Sequence, residues 1–328
     1  MSLANAMPDP AASFEPYRRR LLGLAYRMLG SMADAEDAVQ ETYLRWHAAD
    51  RNKVADPRAF LMTTATRICL DMLTSARARR EEYVGPWLPE PVVDTAALAP
   101  DSRTELAEDL SIALLLTLDR LSALERAAFL LHDVFDFSFS DVATALARSE
   151  AACAQLAARA RAHVRAARPR GANAPAARSG EIDAKHAQLI AAFVAATQSG
   201  DLNALTQLLA SDVRVVTDGG GKVAAALKHV AGATAQHGHV VDGADRAARF
   251  LVSATRKRRG AWWREHFTVR FATINGLPGV IVDGPEGPVQ TAAFEIEGEV
   301  IRALYVVRNL DKLRHLAAAS PPPVSGRG

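Results

Sequence analysis

The side chains grouped for chemistry in this sequence are grouped for holding anions rather than for breaking bonds. Thr63, Thr64 and Arg67 fall at helical spacing behind Arg58 and Phe60, and Arg77, Arg79 and Arg80 close the same stretch. Hydroxyls and guanidiniums so arranged donate hydrogen bonds to phosphate oxygens and splayed bases without demanding one base sequence. A second set, Gln155, Arg159, Arg161 and Arg165, follows further along the chain, and Arg256-Lys257-Arg258-Arg259 forms a third basic cluster. Each set also suits a plain solvated helix face. Acid–base catalysis would need a carboxylate or histidine with a partner that shifts its pKa. Glu265, His266 and Asp283 are the candidates, and nothing in their spacing pairs them. His237-Gly238-His239 is too short and isolated for a metal site. No catalytic residue, metal or cofactor is therefore expected.

The elements that carry these residues read as helices in the first half of the chain. Apolar periodicity places helices over residues 17–29, 33–48 and 57–80, with a turn at Gly30-Ser31 and a proline-first start at Asp56-Pro57. Residues 81–105 lose the periodicity and gather Gly85, Pro86, Pro89, Pro91 and Pro100, which marks a linker. Helix returns over 106–168, with breaks near residues 136–138 and 148–149. A second linker, rich in Ala, Gly, Pro and Arg, covers 169–182. Beyond it come two helices, a strand at 213–217, a helix over 244–255 and strand-like runs at 266–274, 280–283, 289–296 and 300–307. Turns at Asn275-Gly276, Gly284-Pro285 and Glu297-Gly298 make this an α+β domain with a curled antiparallel sheet over residues 183–318, followed by a tail at 319–328.

Composition sets the outer bounds. The 328 residues suffice for two or three domains with their own cores, and 49% hydrophobic against 23% charged residues is ordinary for a globular protein. Cys69 and Cys153 offer no disulfide framework, no apolar run is long enough to span a bilayer, and no signal-peptide core precedes Ser13. A cytoplasmic, non-membrane protein is expected. The net charge of +2 is too small to imply nucleic acid, so its uneven distribution carries the argument.

Two helical modules give the arginine sets their context. In the helix over 33–48, Asp34, Glu36, Asp37, Gln40 and Glu41 form an acidic surface, while Ala35, Ala38, Val39, Thr42 and Leu44 offer apolar packing and Trp46 suits a core. Acids early in a helix favour its dipole, so a solvated helix is the plain reading of that surface. The second module is more specific. Phe129, Leu130, Leu131 and Val134 face one way, residues 140–147 form a short helix, and after Arg148-Ser149 a polar, basic helix begins at Glu150. A short helix, a tight turn and such a helix match a helix-turn-helix, whose second helix enters the major groove by its N-terminal end. Ser149, Glu150 and Ala152 then lie at the DNA-facing end of that helix, Gln155 can reach a base edge, and Arg159, Arg161 and Arg165 suit phosphates.

In this order the modules resemble a bacterial extracytoplasmic-function sigma factor, a specificity subunit of RNA polymerase. Asp34-Ala35-Glu36-Asp37-Ala38-Val39-Gln40-Glu41-Thr42 is similar to the family's polymerase-docking helix, which implies Asp34, Asp37, Gln40, Glu41 and Trp46 as contacts to core polymerase. Asp56-Pro57-Arg58-Ala59-Phe60-Leu61 with Ala65-Thr66-Arg67 resembles the segment that captures the melted minus-ten element. That implies Arg58, Phe60, Thr63, Thr64, Arg67, Arg77, Arg79 and Arg80 there, and the helix-turn-helix at the minus-thirty-five element. The domains implied are 14–80 and 106–168. Asp136 departs from the family's frequent glycine, and Ala154 from a common basic residue.

A shorter likeness points to the subgroup with a fused SnoaL-like, NTF2-like domain. It rests on Trp87-Leu88-Pro89-Glu90-Pro91, Asp218-Gly219-Gly220-Gly221-Lys222 and Asn309-Leu310-Asp311-Lys312-Leu313, where Leu310 stands in place of the usual proline. The fold class implied is two all-α sigma domains plus an α+β cone. The partners implied are core polymerase and promoter DNA, with regulation in cis by the C-terminal domain and no separate anti-sigma factor required. A cone makes a pocket, and such pockets serve enzymes and plain binders alike, so a small ligand has room there. Trp262 and Trp263 suit either its lining or the core. A one-component helix-turn-helix regulator with a ligand-binding tail is the alternative, and it leaves the acidic helix unexplained.

Overall fold

The computed structural model describes residues 9–81, 83, 85–93, 98, 110–167, 184–220, 239–255 and 265–317, with the side chains of 75–81 outside that description. The chain forms two compact units, one from Met1–Glu81 with Thr95–Ala174 and the other from Glu82–Asp94 with Pro175–Gly328. Residues 83 and 85–93 of the first linker thus belong with the C-terminal domain. The second linker, the tail at 319–328, Gly221, Lys222, His237, the 256–259 cluster, Trp262 and Trp263 lie outside the described residues.

The first unit is helical: α1 (Pro10–Leu29), α2 (Met32–Ala48), α3 (Pro57–Glu81), α4 (Ile112–Asp119), α5 (Ala123–Phe129), α6 (Phe139–Leu146) and α7 (Glu150–Ala167). Local chemistry sets the ends. Gly30 takes φ 69° and returns its N–H to the Tyr26 carbonyl, closing α1. Ser31 Oγ accepts from Asp34 N, so the α2 cap is the serine before the acid. Asp56 Oδ1 accepts from the amides of Arg58 and Ala59 behind Pro57, and capping boxes at Ser122/Glu125 and Ser138/Asp141 open α5 and α6. α1 begins seven residues before the expected start, with Pro10 in its first turn and Pro16 carried inside it.

The core of this unit runs through Leu21, Leu24, Leu29, Leu61, Phe129 and Val142. Gly23 is required where it stands, because a Cβ would lie 2.3 Å from the Leu98 carbonyl oxygen. Buried Arg27 donates to that oxygen and to the Gly23 carbonyl, both at 3.1 Å.

The second unit packs α8 (Ala184–Ser199), α9 (Leu202–Leu208) and α10 (Ala244–Thr255) against a six-stranded sheet. The strands are β1 (Leu209–Asp218), β2 (His239–Asp242), β3 (Thr268–Ile274), β4 (Leu277–Gly284), β5 (Gly287–Glu297) and β6 (Val300–Val307), in the order β2-β1-β6-β5-β4-β3. The sheet is mixed, which corrects the antiparallel expectation: β1 runs parallel to β6, with Val215 opposite Leu304. Among the described residues one helix and four strands separate the pair in sequence, so no short turn dictates its sense. β2, absent from the expected elements, pairs antiparallel with β1 and includes His239, the described member of the His-Gly-His pair. Asn275 (φ 50°) and Gly276 (φ 74°) make the tight β3–β4 turn read from sequence. A single turn, Leu310–Lys312, and a short helix, α11 (Arg314–Ala317), follow β6.

Candidate nucleic-acid interface and linker clamp

On α2, Ala35, Ala38, Val39 and Thr42 turn inward, while Asp37 and Gln40 stand in solvent and Asp34 and Glu41 are half-buried. Glu41 pairs with Arg45 at 3.0 Å across one helical turn. Trp46 takes the core place its type suits rather than that of a polymerase contact, and Leu44 reverses its expected place. Trp46 is 2% exposed, packed on the Phe60 ring at 5.6 Å and donating from Nε1 to Ser13 Oγ, so it supports the helix from inside and has no surface for a partner. Leu44, expected in the packing face, is 53% exposed and continues the Asp37–Gln40 stripe at helical spacing. An apolar side chain ending an acidic stripe suits a protein partner better than water.

Arg58 and Arg67 of α3 are engaged within the first unit. Phe135 follows a widened π turn at Leu130–Val134, and Asp136 after it adopts φ 58°, the conformation that makes glycine common at such a position. This bend presents the Phe135 carbonyl to α1 and α3. Arg58 donates to it at 2.8 Å with its guanidinium 4.8 Å from the Phe137 ring centre, and Arg20 donates to it at 3.0 Å. Arg67 donates to the Ala145 and Thr144 carbonyls at 3.0 and 2.7 Å, at the end of α6. Two of the expected minus-ten arginines thus bond to the backbone of the helix-turn-helix module, Arg67 at the end of α6 and Arg58 at the bend before it. Phe60, Thr63 and Thr64 are half-buried, Thr64 bonding back to the Phe60 carbonyl at 2.8 Å. The side chains of Arg77, Arg79 and Arg80 lie outside the described residues.

The helix-turn-helix turns at Ala147, φ 52°, and α7 leaves it with Ser149, Glu150, Gln155, Arg159 and Arg165 exposed and Ala152 half-buried. Arg161 instead pairs with Asp133 at 2.9 Å, which ties α7 to the π turn that follows α5. Cys153 is buried beneath, as is Cys69 in α3, whose thiol is pushed up to about 12 by burial and then by Asp34. Neither is placed to react.

In the second unit the three short sequence matches converge on one buried ion pair. Asp218, at the end of β1, meets Lys312 Nζ at 2.7 Å, with side-chain exposures of 0% and 7%. The linker is bonded to both. Leu88 N donates to Asp218 Oδ2 at 2.9 Å, and Lys312 Nζ donates to the Leu88 carbonyl at 2.6 Å. Tyr83 donates its hydroxyl to Asp218 Oδ1 and accepts from Asn309 Nδ2 at 2.9 Å; burial, then the Asp218 hydrogen bond, push its phenol well above the usual tyrosine range. The Lys312 ammonium also sits 4.2 Å from the Trp87 ring centre.

The loop geometry admits this arrangement at Gly220, φ 60°, where a Cβ would lie 2.7 Å from the Asn309 amide. Further along, Val92 N donates to Asn275 Oδ1 at 3.1 Å and its carbonyl accepts from Asn275 N at 2.8 Å, while His315 Nε2 lies 2.7 Å from the Pro91 carbonyl. Leu88, Pro89, Glu90, Pro91 and Val92 are all buried, as is Leu313. Asn309 Oδ1 caps the following turn by accepting from Asp311 N, and Asp311 pairs with Arg314 at the surface. Tyr83, Val92, Asn275 and His315 were not picked out by sequence. Their only signal was proximity to the matched segments or, for Asn275, a turn read as purely local.

Glu265, His266 and Asp283 form no acid–base pair with one another: Asp283 is bound to Arg270 at 2.7 Å. Among the described residues no His/Cys/Asp/Glu cluster could hold a metal, and no helix is long and apolar enough to cross a membrane.

Residues 14–79 match the Sigma-70 region 2 family and residues 111–164 the Sigma-70 region 4 family. The ECF RNA polymerase sigma factor SigJ of Mycobacterium tuberculosis is 38% identical over 92% of this chain and 92% of its own. A probable ECF RNA polymerase sigma factor, SigI, of the same species is 31% identical over 93% of this chain and 97% of its own. The crystal structure of SigJ superposes with a TM-score of 0.65 at 33% identity, covering 93% of this chain and 98% of that one. With sigma regions 2 and 4 in order and a SnoaL-like mixed-sheet domain behind them, the chain belongs to the ECF RNA polymerase sigma factors, the transcription initiation factors that bind core polymerase and promoter DNA.

Proposed function

We propose that this sigma factor is controlled in cis through its linker, and that its C-terminal domain is a binding and scaffolding module without catalysis. The observation that carries the reading is the Asp218–Lys312 pair, which is also hydrogen-bonded to the Leu88 backbone and to Tyr83. A buried ion pair is expensive unless its lone pairs and protons are satisfied, and here the linker satisfies them. Tyr83, Leu88, Pro91 and Val92 therefore have defined holders within the chain, and no separate anti-sigma factor is required to restrain them.

In this reading residues 14–80 dock polymerase and capture the minus-ten strand, 106–168 read the minus-thirty-five element, and 183–318 regulate. Asp34, Asp37, Gln40 and Glu41, joined by Leu44, make the polymerase face of α2. Arg58, Thr63, Thr64 and Arg67 reach promoter DNA only after α3 leaves the helix-turn-helix backbone. Polymerase binding supplies that opening by favouring a separated arrangement. Ser149, Glu150, Ala152 and Gln155 face bases, and Arg159 and Arg165 hold phosphates. The protein works in the cytoplasm, where its polymerase is.

Run-off transcription with purified core polymerase tests this on the full chain. Glu41→Ala should weaken core binding and specific initiation together. Lys312→Met should change specific output while leaving core binding intact. Unaltered output from a folded Lys312→Met protein would remove the cis-control claim, and unaltered core binding by Glu41→Ala would remove that residue from the docking face.

A further inference from the structure

The C-terminal sheet and helices α8 and α10 line a cavity of about 140 Å³. Its wall is apolar: Phe193 and Phe294 meet edge to face at 5.2 Å, and Phe250, Leu251, Val280 and Val306 continue the lining. One charged side chain, Arg308, enters the lining among the described residues. Its backbone N–H is bonded to the Asp218 carbonyl at 2.7 Å, while its guanidinium meets no carboxylate or carbonyl among the described residues. Burial with no compensating charge pulls its pKa down. A cation in that setting is costly to keep, and an anion delivered with an apolar body would relieve it.

We propose that this cavity is a binding site for a compact apolar monocarboxylic acid, its carboxylate on Arg308 and its hydrocarbon part against Phe193, Phe250 and Phe294. The planar guanidinium fork matches a carboxylate in two parallel hydrogen bonds. A phosphate dianion fits less well, since one positive side chain would leave half its charge unbalanced against an apolar wall. Size narrows the class further, because an apolar cavity of about 150 Å³ admits a single benzene ring. One aromatic ring or one short alkyl chain is therefore the appropriate body. The site also adjoins the linker clamp along the chain: Thr217 and Gly219 flank Asp218, and Arg308 precedes Asn309. Neither the polymerase nor the cis-control reading is needed for this assignment.

Titration calorimetry on the full chain with phenylacetate and octanoate, set against phenylacetamide and octanamide, tests it without polymerase. The acids should bind about tenfold or more tighter than the matched amides, the margin of charge-assisted over neutral hydrogen bonds. Arg308→Gln should abolish that preference, Arg308→Lys should retain part of it, and Ala254→Leu, which narrows the cavity, should weaken acid and amide alike. Equal affinity of acid and amide for the unaltered chain would overturn the proposal, as would absence of binding by both acids. So would a full acid preference surviving in folded Arg308→Gln protein.

Discussion

Asp218 and Lys312, 94 residues apart in sequence, form a 2.7 Å ion pair, and each is also hydrogen-bonded to a third segment, the backbone of Leu88. Removing one member leaves the other charge buried without its partner, whereas replacing both removes the charges together. Lys312→Met should destabilise the C-terminal domain by about 3–5 kcal/mol, with the double variant Asp218→Asn/Lys312→Met costing less than that single change. Urea unfolding compares the two. Limited proteolysis within residues 83–92 should accelerate in the single variant, and equal cleavage rates would show that the pair does not hold the linker.

Tyr83 links the clamp to pH. Its hydroxyl donates to Asp218, and its phenol titrates above the ordinary tyrosine value in the folded protein. The stability it contributes is fully present below the unfolded pKa of about 10 and is lost as pH rises through the higher folded value. Tyr83→Phe should cost about 2 kcal/mol at neutral pH, the scale of a hydrogen bond to a charged group. The urea-midpoint difference between wild type and variant should stay level from pH 7 to 9 and shrink above pH 10. A difference that grows with alkalinity contradicts the assigned donor.

Arg58 and Arg67 occupy their donors on the carbonyls of Phe135, Thr144 and Ala145. Replacing both with alanine should loosen α3 from the helix-turn-helix by about 2–3 kcal/mol at roughly 1 kcal/mol per net hydrogen bond. Hydrogen exchange along α6 reads this directly. If both residues also serve the minus-ten strand, open-complex formation should fall in the same protein, although its modules separate more readily. A gain in open complex would show that they act only as restraints.

The exposed face of α7 separates base reading from phosphate binding. Gln155→Ala should cost about 1–3 kcal/mol at one base pair of the minus-thirty-five element and relax preference there. Arg159→Ala should instead weaken binding to every sequence and lower the salt slope by about 1. Salt-dependent binding of the polymerase holoenzyme to a promoter series distinguishes the two, and identical profiles would leave neither role supported.

Ala147 turns the helix-turn-helix at φ 52°, a conformation costly for a residue with a Cβ. Ala147→Gly should stabilise the first unit by about 0.5–1 kcal/mol, the relief of strain exceeding glycine's greater freedom when unfolded. Thermal unfolding should show a small rise in Tm, and a fall would mean that the left-handed turn is not strained.

The sequence by itself determined the helices, most turns and the family, because those signals are local. Asp56-Pro57 caps a helix wherever it occurs, Asn275-Gly276 closes a two-residue hairpin, and the spacing in residues 34–46 marks one inward face. It could not assign the residues that border that face. Leu44 and Trp46 are apolar neighbours on one helix, yet Leu44 is 53% exposed and Trp46 2%, since the inward limit of α2 is set by Phe60 and Ser13 on other elements. Only the tertiary structure decided that β1 runs parallel to β6, that Arg58 and Arg67 bond to the helix-turn-helix module, and that Lys312 and Asn275 join Asp218 in holding the linker. These are contacts between segments many residues apart, whose geometry depends on how whole elements pack, and periodicity along a chain records which face is buried but not what covers it.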